Sequence, residues 1–125
     1  MSIAALRQSL FERLFKPGRQ LSGYLTFTLF KFLVPGNTRL YGVDAYIIYY
    51  PNGSSIPPHI DPVGIGAHHR VNVVLKAPDA GGQFVCAGAT ALLNRVFYFR
   101  PDTMLHEVTS CRGSRYILSF GWIIK

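Results

Sequence analysis

Residues 44–61 read Asp-Ala-Tyr-Ile-Ile-Tyr-Tyr-Pro-Asn-Gly-Ser-Ser-Ile-Pro-Pro-His-Ile-Asp. A run rich in aromatic and β-branched side chains comes first, then a turn, then a second extended run. In Pro51-Asn52-Gly53 the proline presets φ, the asparagine closes a local hydrogen bond and the glycine accepts positive φ. The same punctuation continues downstream. β-Forming runs at 69–76, 82–87, 95–100, 104–109 and 114–124 are separated by turn residues such as Pro78-Asp79-Ala80-Gly81-Gly82. Many short strands at even spacing predict a mainly β sandwich or jelly roll from residue 39 onward.

Upstream the pattern changes. Ile3, Leu6, Leu10 and Leu14 recur at helical spacing, with Ser2 as an N-cap and Pro17-Gly18 as a stop. They predict an amphipathic helix over 2–16 that packs on the sheet. Residues 20–34 are ambiguous. Tyr24, Thr26, Phe27, Thr28 and Phe30 favour a strand, whereas the length favours a helix, and helix is the reading taken here. The expectation is one domain over 1–125, with 1–36 as helical support and 39–125 as the β core.

Composition narrows the class. Hydrophobic residues make up 49% and charged residues 15% of the 125, so the chain can fill a core and disorder is excluded. Thirteen Lys and Arg against six acids leave a net charge of +7, which favours anionic partners. Six of the thirteen bases fall before residue 40 and the others are scattered, so no basic patch is legible. Two cysteines without metal or disulfide spacing read as reduced thiols, which implies a cytoplasmic protein. The apolar stretch from Leu25 to Val34 is broken by Lys31 and too short to span a bilayer, so no membrane association is expected.

The chemistry lies in His59-Ile60-Asp61, His106 and Arg115. Side chains two apart on an extended segment share a face, so His59 and Asp61 point together. With His106 they supply two imidazoles and a carboxylate, the ligand set of a non-haem Fe(II) facial triad with open positions. The plainer alternative is a turn histidine after Pro58 and a turn aspartate before Pro62. On the run 115–122, alternation puts Tyr116, Leu118, Phe120 and Trp122 on one face and Arg115, Ile117, Ser119 and Gly121 on the other. The second face has the smaller residues, as a cavity lined by an arginine requires. Arg115 there would need an anion, and a guanidinium holds a carboxylate by two parallel bonds. An edge-strand arginine at the surface is the alternative. Asn72 would face inward with Val74 and Lys76 and would then need a polar partner.

Six pieces taken together, from Tyr50-Pro51-Asn52-Gly53 through Pro58-His59-Ile60-Asp61-Pro62, Gly81-Gly82-Gln83-Phe84, Phe97-Tyr98-Phe99-Arg100-Pro101 and His106-Glu107-Val108-Thr109 to Arg115-Tyr116-Ile117-Leu118-Ser119-Phe120, resemble the Fe(II)/2-oxoglutarate-dependent oxygenases over residues 44–125. Prolyl hydroxylases are the nearest branch and AlkB-type enzymes a more distant one. The resemblance implies a double-stranded β-helix, jelly-roll or cupin-like, with N-terminal helices packed on one sheet. It implies Fe(II) on His59, Asp61 and His106, 2-oxoglutarate as co-substrate with its far carboxylate on Arg115, and O2 as oxidant. Tyr50 would donate its hydroxyl toward 2-oxoglutarate or else pack as a plain aromatic, and Asn72 is a further candidate contact. Asp at position 61 resembles the hydroxylases and not the halogenases. The resemblance favours hydroxylation of a prolyl or other peptidyl side chain. The alternatives are oxidation of nucleic acid or a nucleotide, to which the +7 charge points, and a non-catalytic metal-binding cupin-like protein. His68 and His69 are adjacent and cannot face the same way in a strand, and they read as the rim of the substrate mouth.

Overall fold

The computed structural model describes residues 16–17 and 23–125, and these form an antiparallel β-sandwich. Its long sheet contains β1 (Lys16–Pro17), β2 (Leu25–Leu33), β3 (Leu40–Tyr50), β5 (Ala67–Lys76), β8 (Thr90–Leu92), β9 (Val96–Phe99) and β12 (Arg115–Ile124). The spatial order is β1-β2-β3-β12-β5-β9-β8. The facing sheet has three short strands in the order β4 (Ile56–His59), β10 (His106–Val108) and β7 (Phe84–Val85). β6 (Ala80–Gly81) and β11 (Cys111–Arg112) pair separately.

The turn at the head of the sequence behaves as its residues require. Gly53 has φ 85°, and the Ser54 N–H donates to the Pro51 carbonyl at 3.0 Å. Asn52 Oδ1 accepts from the Gly113 N–H at 2.9 Å, and the Gly53 N–H donates to the Cys111 carbonyl at 2.7 Å. This clamps the β3–β4 connection onto the loop that feeds β12.

Two sequence readings need correction. Residues 25–33 are a strand, not a helix. Their β-branched and aromatic side chains meet a partner in β3, with Thr26 opposite Ile48 and Phe32 opposite Val43, so the sheet satisfies a backbone that length alone would leave helical. Helical support over 1–36 is therefore wrong for that stretch, and no helix occurs among the described residues. The helix expected over 2–16 otherwise lies outside the described residues, although Lys16 itself pairs in β1 opposite Thr26. The second correction concerns Lys76. A register shift leaves Ile117 opposite Val74 but Tyr116 opposite Lys76, which turns the lysine away from the inner face to bond Ser114.

The core lies between the sheets at the Tyr50 end. Tyr50, Val108, Cys111 and Ile117 are buried, with Tyr24, Ile48, Ile56, Val74 and Phe84 packed around them. Cys111 is buried, Cys86 half-buried, and both are free thiols. No helix among the described residues is long and apolar enough to cross a membrane.

Candidate metal centre and its cavity

β4 and β10 run antiparallel with His59 and His106 as direct register partners. That pairing sets the two rings side by side, with centroids 4.3 Å apart. The chain turns just after His59, and the Asp61 N–H is held by the Pro101 carbonyl at 2.7 Å. Asp61 Oδ2 then sits 3.4 Å from the Nε2 of His59 and 3.4 Å from the Nε2 of His106. One ligand atom from each residue falls within 4.8 Å of the others.

The other ring nitrogens are occupied. His59 Nδ1–H donates to the Pro57 carbonyl at 2.7 Å, and His106 Nδ1–H donates to the Met104 carbonyl at 2.8 Å. Each imidazole is thus pinned by the backbone two residues before it. The bond fixes the tautomer that leaves Nε2 with a lone pair facing its neighbours, as a ligating histidine needs. Sequence alone does not name these partners, because a carbonyl carries no signature.

The cluster lines a cavity of about 480 Å3 between the sheets. Tyr50, Asn72, Ser119 and His68 line it too. Tyr50 is buried and stacks on Tyr24 at 5.6 Å. Burial pushes its hydroxyl up to about 12 against the pull of the Arg115 charge, so the phenol keeps its proton. Asn72 Oδ1 accepts from the Ser119 hydroxyl at 2.6 Å. His69 does not face the cavity. It stacks on Trp122 at 5.5 Å on the outer side of the sheet.

Arg115 is not brought into that cavity. It lines a neighbouring one of about 390 Å3 with Val74, Gln83 and Phe84, and Phe84 lines both. Its guanidinium lies over the Tyr50 ring at 4.6 Å. The residue is 3% exposed, and its Nη1 is buried without a hydrogen-bond partner. A buried guanidinium N–H with nothing to donate to is costly, and a carboxylate relieves it.

The spacing of the motifs singles out neither Arg70 nor Asp44. Arg70 Nη2 donates to Asp44 Oδ1 at 2.5 Å and Nη1 to Ser119 Oγ at 2.7 Å, and both residues line the cavity of the triad. The signal was present in the period-2 alternation of β5, since Arg70 stands two residues before Asn72.

No protein-family model matches the chain, and no curated protein matches it. Solved structures do. A prolyl-4-hydroxylase from Pseudomonas putida is similar at 16% identity and TM-score 0.65, over 98% of this chain and 84% of that one. A viral collagen prolyl hydroxylase from Paramecium bursaria Chlorella virus-1, solved as its 2-oxoglutarate complex, is similar at 17% identity and TM-score 0.50, over 66% and 59%. An RmlC-like cupin from Shewanella frigidimarina is similar at 15% identity and TM-score 0.51, over 92% and 88%. At such identities the likeness is one of fold: a cupin-like β-sandwich. Nothing among these likenesses supports the more distant kinship with AlkB-type enzymes.

Proposed function

We propose that the protein is an Fe(II)- and 2-oxoglutarate-dependent oxygenase that hydroxylates a C–H bond of a peptidyl side chain. The observation that carries this reading is the pair of imidazoles with Nδ1 tied back to Pro57 and Met104 and Nε2 turned toward the Asp61 carboxylate. Two neutral imidazoles and one carboxylate fit Fe(II) and leave positions for co-substrate and O2. Iron so held, with 2-oxoglutarate and O2, supplies the oxidising power for an unactivated C–H bond.

The chain's own residues do the rest. His59, Asp61 and His106 would hold the ion at the cavity wall. Arg115, with its unpartnered Nη1, would receive the far carboxylate of 2-oxoglutarate. Tyr50, protonated and lying over that guanidinium, can donate a hydrogen bond toward the same acid. Phe99 and Phe84 pack against His106 with ring centroids at 5.1 and 6.2 Å, and they keep water from the buried side of the imidazole. A nucleic-acid substrate is disfavoured, because among the described residues β3 and β12 offer a phosphate backbone no run of cations on the outer face of the long sheet. By register it presents Val43, Ala45, Ile47 and Tyr49 of β3 beside Tyr116, Leu118, Phe120 and Trp122 of β12.

The test is metal content together with succinate formation from 2-oxoglutarate. His59→Ala, Asp61→Ala and His106→Ala should each lose most bound iron and essentially all succinate, with circular dichroism unchanged. Near-normal turnover in any two of them would sink the assignment.

A further inference from the structure

The inner wall of the long sheet carries a polar row that iron and 2-oxoglutarate leave unused. Lys31, Asp44, Gly121 and Arg70 stand opposite one another across β2, β3, β12 and β5. Gly121 has no side chain, so Arg70 lies across β12 and reaches Asp44. A Cβ at 121 would overlap the guanidinium and crowd the Asp44 carboxylate. Tyr46 lies beneath Arg70, 5.5 Å from ring centroid to Cζ. The pair is largely enclosed, with side chains 12% and 18% exposed, and it faces the same cavity as the triad.

What this row leaves unmade points to its ligand. Arg70 spends Nη1 on Ser119 and Nη2 on Asp44, with His68 Nε2 a second, longer partner of Nη2 at 3.3 Å, and Ser119 in turn spends its proton on Asn72 Oδ1. Among the described residues, Asp44 Oδ2 accepts no hydrogen bond, and neither Arg70 Nε–H nor the Asn72 amide NH2 donates one. The Asp44–Arg70 pair is neutral and offers one acceptor flanked by donors, while Lys31, opposite Asp44, adds a positive charge at the β2 end of the row. A charged group placed there meets attraction and repulsion within a side chain's width. A prolyl ring has no hydrogen-bonding group, so it would desolvate these atoms with no return. A primary carboxamide carries two N–H donors and one carbonyl acceptor in a plane and matches the set.

We propose that the Asp44–Arg70–Asn72 wall binds the substrate, and that the oxidised residue is a peptidyl asparagine or glutamine and not a proline. This rests on the oxygenase reading above. The reaction balances as substrate C–H plus 2-oxoglutarate plus O2 giving substrate C–OH, succinate and CO2. One oxygen atom enters the C–H bond and the other enters succinate. The substrate and 2-oxoglutarate each give up two electrons, and O2 accepts four.

N-acetyl, N-methylamide derivatives of asparagine, glutamine and proline share their backbone amides and differ in the side chain, so they are the probes. Titrated into the full chain under 15N NMR, the asparagine or glutamine probe should shift the Arg70 Nε–H and Asn72 amide signals saturably. The proline probe should not. Asp44→Asn should weaken that binding at least tenfold. Gly121→Ala, which displaces Arg70 while keeping every polar group, should do the same with a dispersed backbone spectrum. With iron, 2-oxoglutarate and O2, the carboxamide probe should raise succinate formation several-fold. Saturable carboxamide binding with no succinate under any condition would uphold the wall and bring down the oxygenase reading. Failure of both carboxamide probes to shift the two signals, equal or tighter binding of the proline probe, or succinate formation raised by proline alone, would overturn the proposal.

Discussion

At the scale of single residues, the backbone does the orienting. Each triad histidine donates Nδ1–H to a carbonyl two residues earlier, so ring direction is set by the local backbone, a strand before His59 and a turn before His106. Arg115 is the opposite case, a buried cation whose Nη1 lacks a partner. Arg115→Gln should raise the Michaelis constant for 2-oxoglutarate far more than it lowers iron affinity. Removing one partner of a buried charge pair costs roughly 3–5 kcal/mol, on the order of a few hundredfold in affinity or more. An unchanged constant in steady-state kinetics would exclude Arg115 as the anchor. His68 gives a pH prediction. Burial and the Arg70 charge push its pKa from 6.5 down to about 4, so it stays neutral when folded. Between those values the unfolded chain binds the proton that the folded chain refuses, so stability is held above pH 6.5 and lost as pH falls toward 4. Urea unfolding across that window should show the loss in the parent and a flatter profile in His68→Asn.

At the scale of elements, β12 organises the molecule. It pairs with β3 on one side and β5 on the other, and its alternate residues Arg115, Ile117, Ser119 and Gly121 all turn inward and are all buried. They do four different jobs: a buried cation, an apolar plug, a relay hydroxyl and a gap. Ile117, with no exposure, packs in the buried cluster with Tyr50, Val108 and Cys111. Ile117→Ala should cost about 2–5 kcal/mol by cavity formation, read as a lower urea midpoint with an unchanged slope. The inward and outward faces of this strand were legible in the sequence, since period-2 alternation on one run is a local property.

At the scale of the whole molecule, the net charge of +7 is spread without a stripe. Several of the described bases are spent on partners within the fold. Arg70 is used internally on Asp44, Arg100 pairs with Asp102 at 2.7 Å, and Lys76 bonds Ser114 at 2.8 Å. Single-stranded oligonucleotides should therefore bind weakly and without sequence preference. A slope of log K against log salt near −3 would mean that about four or five phosphates are neutralised. No oligonucleotide should stimulate succinate release, and stimulation at physiological salt would reverse the preference for a peptidyl substrate.

The sequence by itself determined most of the strands from residue 44 onward, though not Thr90–Leu92, Ala80–Gly81 or Cys111–Arg112, together with the Pro51–Gly53 turn and the inward face of Arg115. These depend on neighbours a few residues away, where propensity and alternation act. It also singled out His59, Asp61 and His106, but it could not bring His106 to them; the register of β10 on β4 does that. Residues 25–33 were misread because strand and helix differ there only in whether β3 lies alongside to accept the backbone hydrogen bonds. The bulge that turns Lys76 outward and the Arg70–Asp44 pair laid across Gly121 have the same origin. They join residues 26 or more positions apart, and only the packed sheet decides which side chains meet across such a distance.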